Sequence, residues 1–533
     1  MKLATRGLVG IGVGIWVGVG LVLLGLAPGT ASAQDARAVV QAAATAMGAN
    51  NLKTIQMTGA GWTAAVGQSY NLTNDWPRFE VPGYTKVIDY DAKSSREEYT
   101  RRQGNYPPQG GGFTPLPGEP RTIALSSGNY AWNLEGTTVV PQPGTYLAGI
   151  SMADLRQLDI VLTPHGFLKA ALASNPLNAI TQSFAGPSND GLTGDGRKAT
   201  IVSLMVLGKY RVNGTINDRN EVELVTTMIP TAFYGDTLYE FRYTEYKDFG
   251  GIRFPALVHV HTGDPTFNSA HNSMEIRMTD VKANVPVTAI TVPDAVRTAA
   301  VPPVRVATQQ LAQGVWLVGG GSHNSVAVEF KDFVTVIEAP LDEERSLAVI
   351  QAVNKLVPAK PIRYIVNTHH HFDHSGGLRT YVSQGAIVLA TQANLDLYRT
   401  VAFYPIPRTL QPDRLATYSP MFTVSRRPVP MEPVNRVYVV SDGARTLELH
   451  PVAGNPHAVG MLMAYLPTEK ILVNGDLYSP PAPNAPAARP NPAMTSLMNN
   501  IRRLKLDVAQ HVPIHGTPGP HAEFAKMFAG GTQ

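Results

Sequence analysis

From Lys53 to Asn284 the chain is a succession of short alternating runs. KTIQMTGAGWTA, SREEYTRRQ, TIALSSGNYAWNL, ATIVSLMVLGKYRVNGTIN, VELVTTMIP, LYEFRYTEYKDFGGIRFPALVHVHTG and SMEIRMTDVKAN set apolar against polar residues in turn, and Gly, Asn and Pro separate them. Successive side chains of a strand point to opposite faces, so this two-residue period predicts an antiparallel sheet of many strands. Two stretches break the period. Gln34 to about Gly48 is Ala-rich with helical spacing, and SMADLRQLDIVLTPHGFLKAALAS, Ser151 to Ser174, predicts a helical insertion between strands.

The pattern is lost at VPVTAITVPDAVRTAAVPPVRVA, Val285 to Ala307, where prolines recur without a period. Such a stretch reads as a link, and the boundary is placed near Ala299. Beyond it GVWLVGGGSHNSVAVEF and FVTVIEA continue as strands, and SLAVIQAVNKLV followed by PIRYIVNT alternates helix with buried strand. The expected fold class is α+β, with an antiparallel β-rich domain over residues 34–299 and an α/β domain over residues 300–533. A chain of 533 residues is too long for one ordinary core, which agrees with two domains.

The first 33 residues differ from both. Lys2 and Arg6 precede an apolar run from Leu8 to about Leu26, and Ala31-Ser32-Ala33 supplies a small-x-small cleavage site. Residues 1–33 therefore read as a signal peptide for an exported, periplasmic or secreted protein, with an uncleaved membrane anchor as the alternative; the mature chain is expected to have no membrane span. The chain has no cysteine, so any metal must be held by His and carboxylate. Its net charge of +4 is spread without a dense basic patch, which argues against a nucleic-acid partner and leaves a small-molecule substrate. Oligomeric state is not encoded in any pattern.

The densest chemistry is VNTHHHFDHSGG, Val366 to Gly377, which follows the strand-like IRYIV and crowds four of the 14 histidines and an aspartate into six positions. In an extended segment His369 and His371 project to one side and His370 to the other. The chain must then turn, which brings Asp373 and His374 to the same mouth. Imidazole nitrogen and carboxylate oxygen suit zinc, and also manganese or iron(II), so this spacing can serve two adjacent metal positions.

His-x-His-x-Asp-His after a strand resembles the ligand motif of the metallo-β-lactamase-fold hydrolases. Three later segments are similar to that family's remaining ligand segments, in order: GNPHAVGMLMAYLP with His457, KILVNGDLYSP with Asp476, and HVPIHGTPGP with His515. The resemblance covers about Val306 to Gln533 and is specific, because four ordered matches at plausible separations rarely arise by chance. It implies an αββα sandwich holding two divalent metal ions, with zinc as the leading choice. His369, His371 and His457 would bind one ion; Asp373, His374 and His515 would bind the other; Asp476 would bridge them. The ions would share a water or hydroxide whose pKa falls towards about 7, with Asp373 and Asp476 as the catalytic carboxylates that orient it. Aspartate at 476, where one branch of the β-lactamases has cysteine, makes the chain resemble the thioesterase, lactonase and phosphodiesterase members. The last segment departs from the family's pattern at Ile514, where many relatives have glycine.

The other histidines have plainer readings. His370 faces away from the ligands and suits support or surface duty, while His450 and His511 sit in strand-like runs as structural histidines. His323, after the glycine-rich turn GGGSHNS, is left between turn residue and site residue. Tyr398 to Phe422 and the proline-rich Ser479 to Ala493 lie between or beside ligand segments, where each is either packing or a rim of a substrate cleft.

The first half resembles the curved half-barrel of lipoprotein carriers, although no short motif carries that resemblance, and a scaffold against the hydrolase half is the preferred role. Two classes of function follow. One is an exported di-metal hydrolase using a metal-bound hydroxide on an ester, thioester or lactone, with β-lactam or phosphodiester hydrolysis as alternatives of the same fold. The other is a non-catalytic envelope binding or carrier protein with a structural metal site. Closed structural zinc sites use four ligands on one ion, whereas seven ligands around two ions leave positions open, so the enzyme is preferred.

Overall fold

The computed structural model describes residues 33–112, 115–175, 177–183, 198–265, 270–403, 408–418, 429–481 and 489–529. The leader up to Ser32 lies outside the described residues, as do 404–407 and 419–428 around the aromatic loop and 482–488 of the proline-rich segment.

Among the described residues, thirteen strands between Thr54 and Ala283 form one antiparallel sheet. The first strand, Thr54–Ala64, and the last, Asn272–Ala283, are neighbours within it, with Ile55 opposite Ala283 and Trp62 opposite Glu275. One meander therefore runs outward from Thr54–Ala64 to an edge at Thr138–Pro141, and a second runs inward from the other edge, Asn178–Ser183. The alternation seen in the sequence has a physical cause: Ile55 and Met57 are buried in a core shared with Val212, Val225 and Phe254. The helix Ala33–Ala46 closes that core through Val40, Ala43 and Ala44.

The helical insertion is two helices, Met152–Val161 and Pro164–Ala173. Thr163-Pro164 divides them: the Thr163 hydroxyl accepts from Gly166 N, and proline at the first position has no N–H to continue the preceding helix. Leu158, Phe167 and Leu168 pack into the same core as the sheet.

After Ala283 the next described strand begins at Ala307. Seven strands from Ala307–Ala312 to Met431–Pro433 form a second sheet, antiparallel up to Val334–Ile337 and parallel from there through Ile362–Val366 and Ile387–Ala390. Six strands from Tyr438–Ser441 to Gly519–Pro520 form a third. The strand Leu462–Leu466 shows how they stack: Leu462, Ala464 and Leu466 face a core shared with Val326, Ile337 and Val366 of the other sheet, while Met463 and Tyr465 face Leu497, Ile501 and Phe524 of the outer helices. On the far side, Val349, Ile350 and Val353 of the helix Glu343–Leu356 cover Val334, Val336 and Ile365. The order is helix, sheet, sheet, helix, the expected αββα sandwich.

The halves share an apolar cluster. Trp76, Phe233 and Tyr234 of the first half pack with Phe372 and Tyr398 of the second, and the Phe233 ring stacks on Phe372 at 4.6 Å. Phe372 stands inside the histidine segment, so the seam runs beside the candidate site. Among the described residues no helix is long and apolar enough to cross a membrane.

Candidate metal centre

The strand Ile362–Val366 is paired in parallel on both sides, and the histidine segment leaves its carboxyl end, where open α/β sheets place their ligands. A four-residue helix, Phe372–Ser375, makes the turn and presents Asp373 and His374. Asn367 Nδ2 donates to His374 O at 2.9 Å and fixes the start of the segment against its end. The two glycines that follow are required by close approach: a Cβ on Gly376 would lie 1.9 Å from Leu341 O, and one on Gly377 would lie 2.0 Å from Ser346 Oγ.

The facing sheet supplies the other three residues from its strand ends. Asn455 Oδ1 accepts from His457 N at 3.0 Å and Ala458 N at 2.9 Å, which shapes the loop that carries His457. Asp476 follows Ile471–Val473 through Gly475 at φ +55°, a conformation that favours glycine. His515 follows Gln510–Val512, and Asn324 holds its loop by donating from Nδ2 to Pro513 O at 3.0 Å and Gly516 O at 2.7 Å. Ile514 is fully buried in the core between the sheets, so the larger residue anchors the loop from within while His515 faces the site.

All seven sequence-predicted residues converge. His369, His371 and His457 form one group able to hold a metal ion; His369 Nε2 lies 3.0 Å from His371 Nδ1 and 3.1 Å from His457 Nε2. Asp373, His374 and His515 form a second group, which His323 joins. Asp373 Oδ2 is 3.2 Å from His323 Nε2, 3.6 Å from His374 Nε2 and 3.9 Å from His515 Nε2. Asp476 lies between the groups, its Oδ2 being 3.1 Å from His374 Nε2, 3.4 Å from both His457 and His515 Nε2, and 4.0 Å from His369 Nε2. His370, His450 and His511 belong to none of these groups.

The donor set fits divalent cations. Ring nitrogens of His369, His371 and His457 face one another at hydrogen-bond distance, an arrangement of lone pairs that calls for a shared proton or a positive ion. Asp476 Oδ1 is buried without a hydrogen-bond partner among the described residues, which is costly for a carboxylate unless a cation takes it up. Burial, together with the neighbouring His374 and His371, holds His369 well below the usual imidazole range and so keeps it a neutral donor. Burial pushes the Asp476 carboxyl up, but His374, His457 and His515 outweigh it and hold the group well below the ordinary carboxylate range. His374 goes the other way: burial lowers it, and Asp476, Asp373 and Glu338 together raise it well above an ordinary imidazole.

Three surrounding residues were not legible as parts of a site. Glu338 Oε2 is 2.7 Å from His374 Nδ1, and its Oε1 accepts from Thr368 N at 2.6 Å. Its φ of +75° is strained for a side-chain-bearing residue, which such positions at functional sites tolerate. The sequence signal for it is only an acid at the end of the strand FVTVI. Ser69 O accepts from Nε2 of both His370 and His371 at 3.0 Å, and Gln68 Nε2 donates to Asp373 Oδ1 at 2.7 Å. No local pattern marks either.

Residues 318–509 match the model of the metallo-beta-lactamase superfamily. The C-terminal half is a metallo-β-lactamase-fold domain. That match includes every site residue named from the sequence except His515. The α subunit of 2,4-dinitroanisole O-demethylase from Nocardioides sp. (strain JS1661) is 24% identical over 213 residues, 39% of this chain and 57% of that protein. A linear primary-alkylsulfatase from Pseudomonas sp. is 33% identical over 64 residues, 12% of this chain and 10% of that protein. The chain thus spans little over half of one curated relative and a tenth of the other. Among solved structures, a metallo-beta-lactamase from Pontibacter korlensis aligns at 16% identity over 43% of this chain and 100% of its own, with a TM-score of 0.32. FIM-1 from Pseudomonas aeruginosa, in its mono-zinc form, aligns at 21% identity over 43% of this chain and 96% of its own, with a TM-score of 0.31.

Proposed function

We propose that this chain is an exported hydrolase with a two-ion metal centre that cleaves an ester, thioester or lactone. The observation that carries the reading is the seven-residue set in two groups joined by Asp476. Divalent ions held there, zinc being the leading choice, would make a water nucleophilic near neutral pH and polarise the bond it attacks.

The chain's own residues set the rest. Glu338 accepts a hydrogen bond from His374 Nδ1, so that Nε2 is the nitrogen that would give up its proton to hold an ion beside Asp476, while the Ser69 carbonyl accepts a hydrogen bond from His371 Nε2 and leaves Nδ1 towards His369. Asp373 and Asp476 are the carboxylates placed to orient a water by accepting its protons. The N-terminal domain, residues 34–299, acts as a scaffold for the site, and residues 1–33 direct export; recovery of mature protein beginning at Gln34 from the envelope or medium tests the latter.

A second reading is favoured by the likeness to an alkylsulfatase and to an O-demethylase subunit: a sulfate ester, or an aryl ether, in place of the carbonyl ester. A panel of aryl esters, acyl thioesters, lactones, an alkyl sulfate, an aryl methyl ether, a chromogenic β-lactam and a phosphodiester separates these, assayed with wild type, Asp476→Ala and His371→Ala. Turnover of a carbonyl substrate that both substitutions abolish is the expected result. Turnover of the sulfate, ether or phosphodiester alone replaces the substrate class. Wild type that turns over nothing, and whose only response to metal is a higher melting temperature, supports a binding protein instead.

A further inference from the structure

The metal centre draws part of its support from the other half of the chain. Two N-terminal loops, residues 65–70 and 109–112, press against the ligand segments. Gly67 O accepts from Phe372 N at 3.2 Å, Tyr70 O accepts from Val459 N at 2.7 Å, and Gly110 N donates to Pro456 O at 2.9 Å. Two of the ligand-bearing segments of the C-terminal half, that of His371 and that of His457, are therefore tied to N-terminal backbone.

Within this clasp the polar contacts are directed at ligand atoms. The Gln68 amide is held at both ends: Nε2 donates to Asp373 Oδ1 at 2.7 Å, and Oε1 accepts from Gly112 N at 3.0 Å. With Oδ1 engaged, Asp373 turns Oδ2 towards His323, His374 and His515. The Ser69 carbonyl accepts a hydrogen bond from His371 Nε2–H, which leaves Nδ1 as the lone pair facing His369 Nε2 at 3.0 Å. Gly111 lies so close that a Cβ there would be 2.8 Å from His371 Cε1 and 2.0 Å from Gln68 Oε1. A carboxylate or imidazole without such partners samples other rotamers and tautomers, and loss of outer partners typically costs 10–100-fold in metal affinity.

We propose that Gln68 and the Ser69 carbonyl are positioning residues of the metal centre, so that the C-terminal half alone carries an incomplete site. This rests on the metal-centre reading above and adds to it that the N-terminal half sets metal affinity. The test is stepwise zinc titration of the full metal-free chain against a chromophoric chelator, for wild type, Gln68→Met and Gly111→Ala, with a melting curve of each metal-free protein. Gln68→Met fills the same volume without the donor. It is expected to weaken one of the two zinc equivalents by about 10–100-fold, leave the other within about twofold, and leave the metal-free protein with a cooperative melting transition. Gly111→Ala crowds both Gln68 Oε1 and His371 and is expected to weaken both equivalents by a similar factor; it decides the matter alone if Gln68→Met does not fold. A folded variant that binds both equivalents as wild type does overturns the proposal and spares the metal centre. Wild type that binds no zinc overturns both.

Discussion

His374 Nδ1 lies 2.7 Å from Glu338 Oε2, and neither side chain is reached by solvent. The pair keeps a proton on Nδ1, so that Nε2 is the nitrogen left to hold a metal ion. Glu338 accepts at both oxygens, so its second contact, from Thr368 N, ties the start of the histidine segment to the same carboxylate.

Glu338→Gln tests this arrangement. The amide can keep an oxygen towards Thr368 N only by pointing its NH2 at His374 Nδ1, donor against donor. His374 must then carry its proton on Nε2, directed into Asp476. Metal affinity is expected to fall by about 10–100-fold, and stability by about 1–3 kcal/mol from the mismatched buried group. Chelator competition and chemical denaturation of the metal-free protein read the two effects separately.

Purified mature protein is expected to hold about two divalent ions per chain, because seven donors in two groups exceed what one tetrahedral site uses. Removing them should lower the melting temperature, since an ion bound only to the folded state stabilises it by about 2.7 kcal/mol at a hundredfold excess over its Kd. Asp476→Ala, which takes away the oxygen common to both groups, should leave no more than one ion tightly held. Elemental analysis after zinc or manganese loading decides; wild type saturating at one ion contradicts the two-ion centre.

The candidate site was legible because its spacing is local chemistry: six positions carry five candidate donors, and three later segments follow strand-like runs. The thirteen-stranded sheet was legible for a similar reason, since buried Ile55 and Met57 leave a two-residue period in the text. The rest depended on distance in the chain. Gln68 meets Asp373 across 305 positions and His323 meets it across 50, and neither contact leaves a periodic trace. Glu338 looks like any acid at a strand end until the fold sets it beneath His374. The helical insertion was legible from its apolar spacing, and capping at Thr163-Pro164 divides it in two.

Limited proteolysis is expected to cut first between Val285 and Arg305, where exposed Val301 and recurring prolines separate the N-terminal sheet from the strand starting at Ala307. The fragments should stay together on gel filtration, because Trp76, Phe233 and Tyr234 remain packed on Phe372 and Tyr398. Cleavage spread throughout the chain, with no protected C-terminal fragment, contradicts a domain boundary near Ala299.

A pH effect is expected in the N-terminal core. His165 is fully buried, its ring stacks on Phe254 at 5.5 Å, and its Nε2 donates to Met47 O at 2.9 Å. Burial lowers its pKa to about 4, so the folded protein keeps it neutral where an unfolded chain, at about 6.5, takes up a proton. The unfolded state therefore binds more protons between those values, and the stability His165 contributes is lost as pH falls from about 6.5 to 4. A shift of this size is worth about 3 kcal/mol at its limit. Asp159, whose carboxyl burial pushes up to about 6, titrates in the same window with the opposite sign, stability being lost as pH rises towards 6. The raw pH profile mixes the two, so the discriminating quantity is the difference between wild type and His165→Gln, which keeps a donor for Met47 O and does not ionise. In chelator, to remove metal-linked protons, that difference in denaturation free energy should shift in the variant's favour by about 2–3 kcal/mol between pH 7 and pH 4.5. Parallel profiles for the two proteins would mean that His165 takes up its proton in the folded state, with the core opening to admit it.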